Sequence, residues 1–232
     1  PNSHYAAAKL YAHNMVRIYR ESYKIFASSS ILCNHECHRR SKDFVTRKVT
    51  SWIGENFEAI CGKRDYIPLQ IGNIEAKRDW GFAPDYCYAV WQILQQDTPD
   101  DFVIGTGQTR TVKEFLEAAF GSVGIFLDWT TDSDNLPLGL DKQGGKILIQ
   151  TNKKFYRPLE VNHLEGDATK AMKTLGWKPF TPFETWVKSM VSYDMGIITN
   201  KYIDDSWDHY EGKINNDNSS TKANFQEAIS SG

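Results

Sequence analysis

Tyr5 and Lys9 stand four residues apart in Tyr5-Ala-Ala-Ala-Lys9. That spacing puts both side chains on one face of a helix. A free tyrosine, with a pKa near ~10, is a poor base at neutral pH. An ammonium one turn away favours the phenolate and lowers that pKa. The pair is therefore a candidate acid/base for a sugar hydroxyl. The same spacing also suits an ordinary Ala-rich helix with an exposed lysine.

A second group begins at Asn34-His-Glu-Cys-His-Arg-Arg40 and continues through Lys42 and Phe44-Val-Thr-Arg-Lys48. It sits at the carboxyl end of a predicted strand, where open α/β sheets bind ligands. The cations Arg39, Arg40, Lys42, Arg47 and Lys48 gather here in a chain of net charge −2. Arginine grips phosphate with a bidentate fork and lysine with a point charge. A solvated basic loop is the other reading of the same run.

Lys77-Arg-Asp-Trp-Gly81 and Tyr156-Arg-Pro-Leu-Glu160 each carry an arginine in a polar, aromatic setting. Arginine for a diphosphate and glutamate for ribose or sugar hydroxyls would suit a nucleotide-sugar. Either could instead be a local surface pair. Cys33, His35, Cys37 and His38 crowd together, but structural zinc sites join two separated ligand pairs. Cys61 and Cys87 are isolated, so no metal centre is expected. Cys33 reads as core and His35 as a polar contact in a cleft.

The elements that must position these groups follow from periodicity. A long helix is predicted over 5–25, a buried strand over 31–34, a helix over 44–53 and a strand over 66–72. A helix opens at Pro84, and a strand over 101–107 ends in glycine. Thr111-Val-Lys-Glu114 and Thr181-Pro-Phe-Glu184 read as capping boxes, with Pro182 at the first helical position. Strands are predicted at 125–129 and 146–151, and a helix between a cap at Asp167 and Gly176. Alternating strands and helices argue for an α/β architecture with parallel strands.

The chain has 232 residues, 41% hydrophobic and 24% charged. That composition suits a globular chain of one large domain or slightly more. A net charge of −2 excludes a strongly basic binder of nucleic acid or anionic membrane. No run approaches the roughly 18 apolar residues of a membrane span. Four cysteines are too few for a disulfide scaffold, so the cytoplasm is the expected compartment. The tail 201–232, rich in Asp, Asn and Ser, is expected to be partly disordered.

Taken in order, SHYAAAKLYAH, ILCNHECHRR, DFVTRK, IGNIEAKRDWGFAPDY, DFVIGTG, FYRPLEV and GDATKAMKTLGWKP resemble the GDP-mannose 4,6-dehydratase family of extended short-chain dehydrogenases/reductases. The resemblance implies the C-terminal part of a Rossmann-like fold plus a smaller substrate lobe. Residues 1–107 would be the remaining half of a dinucleotide-binding domain interleaved with substrate-lobe segments. Residues 108–200 would be mainly substrate lobe. The implied reaction oxidises carbon 4 of GDP-mannose with bound NADP, eliminates water across carbons 5 and 6, and returns the hydride to carbon 6. The product feeds GDP-fucose synthesis.

In the resemblance Tyr5 and Lys9 are catalytic and touch the cofactor, and His35 and Arg40 contact NADP. Asn34, Val45, Lys48, Arg78, Arg157 and Glu160 match the region that cradles GDP-mannose. A homo-oligomer is implied, with Arg39 and Arg40 near a neighbouring subunit's cofactor.

The chain departs from the family pattern at His4, Cys37-His38 and Ser41, where Pro, Ser-Pro and Gly are usual. It carries no glycine-rich dinucleotide fingerprint and no upstream Thr-x-Glu pair. It is therefore expected to be inactive alone. Two other readings remain: a different nucleotide-sugar epimerase or reductase, and a non-catalytic remnant that pairs with a full-length partner.

Overall fold

A computed structural model describes residues 1, 3–62, 64–156, 161 and 163–199. The expectations for Arg157, Glu160 and the tail 201–232 fall outside these described residues. In chain order the elements are α1 (His4–Tyr23), β1 (Ser30–Leu32), β2 (Asn34–Glu36), α2 (Val45–Ile60), β3 (Leu69–Ile71), β4 (Lys77–Phe82), α3 (Ala83–Leu94), β5 (Phe102–Ile104), β6 (Thr109–Thr111), α4 (Val112–Gly121), β7 (Leu127–Thr131), β8 (Pro137–Asp141), β9 (Ile147–Thr151), a 3-10 turn (Lys153–Phe155), β10 (His163–Leu164), α5 (Thr169–Leu175) and α6 (Phe183–Asp194).

The expected parallel pairing is present at β1–β5, β2–β4, β4–β10 and β3–β9. Antiparallel pairing joins β6 to β4 and runs through β7, β8 and β9. The predicted strand 31–34 is in fact two strands. β1 pairs with β5, Cys33 donates its N–H to the Ile104 carbonyl at 2.8 Å, and β2 then pairs with β4.

Local chemistry sets the ends. Ser3 caps α1, accepting from the Ala6 N–H at 3.1 Å, and Lys24 at φ 55 stops it. α2 runs on past the predicted end at Ile53. Its buried Val49, Ile53 and Ile60 keep helical spacing on one face. Gly54 lies inside this helix because a Cβ there would strike the backbone of Asp194, where α6 crosses. The first capping box is found: the Glu114 N–H donates to Thr111 Oγ1 at 3.0 Å, and the Thr111 N–H to Glu114 Oε2 at 2.6 Å.

The second box is absent. The Thr181 hydroxyl donates to Asp85 Oδ1 at 3.1 Å, and α6 is entered from Pro182 without a side-chain cap. Buried Asp85 also accepts the N–H groups of Phe180 and Thr181, outcompeting the local cap. Asp167 accepts from the Thr169 N–H, but Ala168 holds the cap position of α5.

Two apolar cores form. The larger packs α2, α4 and α6 against β3, β4 and β9. The smaller gathers α3, β5, α5 and Trp177. α1 contributes no buried residue. It is tied down by Arg20, which forks onto Asp101 at 2.9 and 2.8 Å.

The Arg20 fork holds the Asp101 carboxyl down to about 2 from an ordinary 3.8. A lowered carboxylate pKa means this stabilisation is complete above pH ~4 and is lost as pH falls toward 2. Asp101→Asn is expected to cost about 2 kcal/mol at pH 7 and almost nothing at pH 2. Urea unfolding at the two pH values checks this; an equal cost at both would contradict it. Among the described residues, no helix is long and apolar enough to cross a membrane.

Candidate functional site

The parallel register sets Asn34 opposite Trp80 and Glu36 opposite Phe82. Strand alternation turns Asn34 and Glu36 to one side of β2 and His35 to the other. On the Asn34 side lies a cleft of 350 Å³. It is walled by Asn34 and Glu36 of β2, Phe44, Val45, Thr46 and Lys48 at the start of α2, Arg78 and Trp80 of β4, and Phe155. Four of the sequence-derived candidates, Asn34, Val45, Lys48 and Arg78, meet here from three separate elements.

The wall chemistry is mixed in charge. Val45, Thr46 and Arg47 open α2, and the first intrahelical acceptor, Phe44 O, serves Lys48 at 2.8 Å. The amides ahead of Lys48 have no carbonyl within the helix, and a helix N-terminus favours an anion. Lys48 Nζ lies 3.9 Å over the Phe155 ring, and burial pushes its pKa below the usual lysine value. Arg78 Nη1 donates to the Lys77 carbonyl at 2.7 Å.

At the floor, Glu36 is 1% exposed. Its Oε2 accepts from the Thr46 hydroxyl at 2.6 Å and faces Arg40 Nε at 3.3 Å. Burial pushes the Glu36 carboxyl up; Thr46 and Arg40 pull it back in part. Arg40 is further pinned by its guanidinium lying 3.7 Å over the Phe44 ring.

His35 is not in this cleft. Its Nδ1 sits 2.9 Å from the Cys33 carbonyl, and its ring lies beside Tyr86 at 5.4 Å. A carbonyl only accepts, so Nδ1 carries the proton and Nε2 is left as an acceptor. Tyr5 and Lys9 meet on α1 as the spacing requires, with Lys9 Nζ 5.6 Å from the Tyr5 ring centre. Tyr5 is 66% exposed and does not line the cleft.

Sequence reasoning passed over Asp79, which is fully buried on the β4 face opposite Arg78 and Trp80. It accepts the N–H groups of Thr106 (2.9 Å), Gly107 (3.0 Å) and Gly166 (3.1 Å) and the Thr106 hydroxyl (2.6 Å). An aspartate in the middle of Lys77-Arg-Asp-Trp-Gly-Phe82 was the available signal. Burial, with the Asp79 carboxylate beside it, pushes the Cys33 thiol up to about 11. Cys33 is thus an inert packing group.

The family profile described as GDP-mannose 4,6 dehydratase matches residues 1–190. The chain belongs to the GDP-mannose 4,6-dehydratase family. The GDP-mannose 4,6 dehydratase of Homo sapiens is 43% identical over 85% of this chain and 52% of its own length. That of Dictyostelium discoideum is 45% identical over 86% of this chain and 54% of its own. The chain thus spans about half the length of these relatives.

The solved structure of RMD from Pseudomonas aeruginosa complexed with NADPH superposes with a TM-score of 0.66 at 17% identity. It covers 84% of this chain and 56% of that one. The two share an α/β fold with parallel strands. Within the dehydratase family frame, the cleft beside β2 and β4 is the feature that gathers the chain's dispersed polar motifs.

Proposed function

We propose that the chain is the nucleotide-sugar-binding part of a GDP-mannose 4,6-dehydratase, with GDP-mannose as ligand and the Tyr5–Lys9 pair as its acid/base. One observation supports this above the others: Asn34, Val45, Lys48 and Arg78 line a single cleft although they come from three separate elements. Lys48, Arg78 and the open amides of α2 suit the diphosphate. On this reading Arg157 and Glu160 complete the cradle. Residues 1–107 are part of a dinucleotide-binding domain interleaved with substrate-lobe segments, and residues 108–200 are mainly substrate lobe. The protein works in the cytoplasm as a homo-oligomer.

The reading includes NADP. The acceptor Nε2 of His35 fits a ribose or amide donor, and Arg40, held at Nε and on one face, keeps its outer nitrogens for a phosphate. When bound, the nicotinamide supplies hydride removal and return. Tyr5 takes the proton from the sugar 4-hydroxyl, and Lys9, one turn along, favours the phenolate that makes this possible.

A second reading is favoured by one face of the molecule. α1 buries nothing, while Tyr11, Tyr19, Tyr23, Ile25 and Phe26 are exposed along it and just after it. β1 pairs only with β5 among the described residues, so one edge of it is open. Such a face suits the rest of a dinucleotide-binding sheet. The chain would then act only when joined to one.

Ligand-dependent unfolding tests the main reading. GDP-mannose is expected to raise the melting temperature of the chain, and UDP-glucose is not. Protection by UDP-glucose alone would transfer the chain to a UDP-sugar epimerase-like role.

A further inference from the structure

Cys87 stands alone in the sequence, but the fold brings it to Cys37. Register sets Glu36 at the end of β2 opposite Phe82 at the end of β4. Neighbouring strands lie about 4.8 Å apart. Cys37 is the next residue on one side, and Ala83, the first of α3, is the next on the other. Cys87 follows Ala83 by four residues, on the same helix face and about 6 Å along it. Both cysteines are free; Cys37 is half-buried and Cys87 exposed. They lie close enough to sense each other: burial first, and then the neighbouring Cys37, push the Cys87 thiol up. The Arg39 N–H donates to Cys37 Sγ at 3.4 Å, which favours Cys37 as the attacking sulfur.

We infer that Cys37 and Cys87 are a redox-sensitive thiol pair, closed to a disulfide by a hydroperoxide such as hydrogen peroxide. Cys37 Sγ attacks one peroxide oxygen, the O–O bond breaks, and a water leaves, giving a sulfenic acid at Cys37. Cys87 Sγ then attacks the Cys37 sulfur, the S–O bond breaks, and a second water leaves as the S–S bond forms. The two thiols together lose two hydrogens and two electrons, and the peroxide takes them up. Segment 37–44 lies outside helix and strand, so Cys37 has the freedom to meet the roughly 5.5–6 Å Cα separation that a disulfide prefers. The bond tethers this segment, which holds Arg40 against Glu36 and leads into α2, to the start of α3.

The other two cysteines do not compete. Cys33 packs against Gly166 and Asp79, with its thiol pushed up to about 11. Cys61 sits at the far end of α2, a helix of 16 residues and so about 24 Å long, whose first turn follows the Cys37 segment.

Peptide mapping tests the pair. The 232-residue chain is treated with one equivalent of hydrogen peroxide, its remaining thiols are blocked, and it is digested without reduction. Trypsin with a glutamyl endopeptidase, which cuts after Glu36, separates Cys33 from Cys37, so mass spectrometry assigns each bond. A Cys37–Cys87 link that dithiothreitol removes is expected as the main product, with Cys61 still free. In Cys87→Ser the internal link is expected to be absent and dimedone to trap a sulfenic acid at Cys37. Links mainly to Cys33 or Cys61, bonds only between chains, or thiols left unreacted would overturn the inference. A Cys87→Ser chain with no dimedone label at Cys37 would overturn the order of attack.

Discussion

Asp79→Ala is expected to destabilise the chain by about 3–5 kcal/mol, the largest effect of any single polar substitution. The carboxylate is fully buried and accepts four hydrogen bonds from two loops that follow β5 and β10. Alanine removes all four acceptors at once. The Gly166 amide is buried, since Gly105 and Gly166 pack directly against Cys33 and Asp79, whereas Thr106 is half-buried and Gly107 exposed, so their amides recover part of the loss from water. Each unpaired buried amide costs about 1–3 kcal/mol, and partial relaxation keeps the total below their sum.

Asp79→Asn is expected to retain part of the stability, because its oxygen serves some donors while its NH2 faces others. Urea unfolding of the two variants measures both. A cost under about 1 kcal/mol for alanine would show that the loops are held by packing instead. The site should feel the loss as well. Arg78 and Trp80 flank Asp79 on β4 and face the cleft, so freeing this strand loosens two of its walls.

Lys48→Ala is expected to weaken GDP and GDP-mannose by the same factor, about 10- to 100-fold. The ammonium is already partly withdrawn from water, as its lowered pKa records, and it rests on the Phe155 ring. The desolvation cost of meeting a phosphate is therefore partly met in the free protein. A charge-assisted contact of about 1.5–3 kcal/mol converts to that range. The equal effect on both ligands matters, since they share the diphosphate and differ in the hexose. A loss confined to GDP-mannose would put Lys48 at the sugar and reverse the orientation of the ligand. Isothermal titration of both nucleotides settles the comparison.

Sequence patterning made some of this visible and hid the rest for physical reasons. α1, α3 and α4 are legible because periodicity and caps are local signals; Thr111 and Glu114 satisfy each other within four residues. The Thr181–Glu184 pattern is equally local, yet Asp85 captures Thr181 across the fold, and no window of sequence contains that competitor. β4 is hard to read as a strand because its charged residues mask alternation. Asp79 is charged and buried, which inverts the usual inference from polarity. β6 and β10 are short and owe their pairing to tertiary neighbours, while β8, five residues long, is masked by Pro137 and Gly139.

At the site, the family-like motifs pointed to Asn34, Val45, Lys48 and Arg78, and these four line one cleft. Glu36, in the Asn34-His-Glu36 run, carries no sequence signal of its buried place in the cleft. Its burial depends on Thr46 and Arg40, which no spacing rule brings to it.

The central claim is that the cleft at the start of α2 receives the diphosphate of a GDP-sugar. The most direct measurement is amide hydrogen exchange of Val45, Thr46 and Arg47 by NMR, with and without GDP-mannose. These first-turn amides have no acceptor inside the helix, and Val45 and Thr46 line the cleft. The account predicts that their exchange slows when GDP-mannose is added and is unchanged by mannose alone. Binding of GDP-mannose with protection elsewhere and none at residues 45–47 would contradict it.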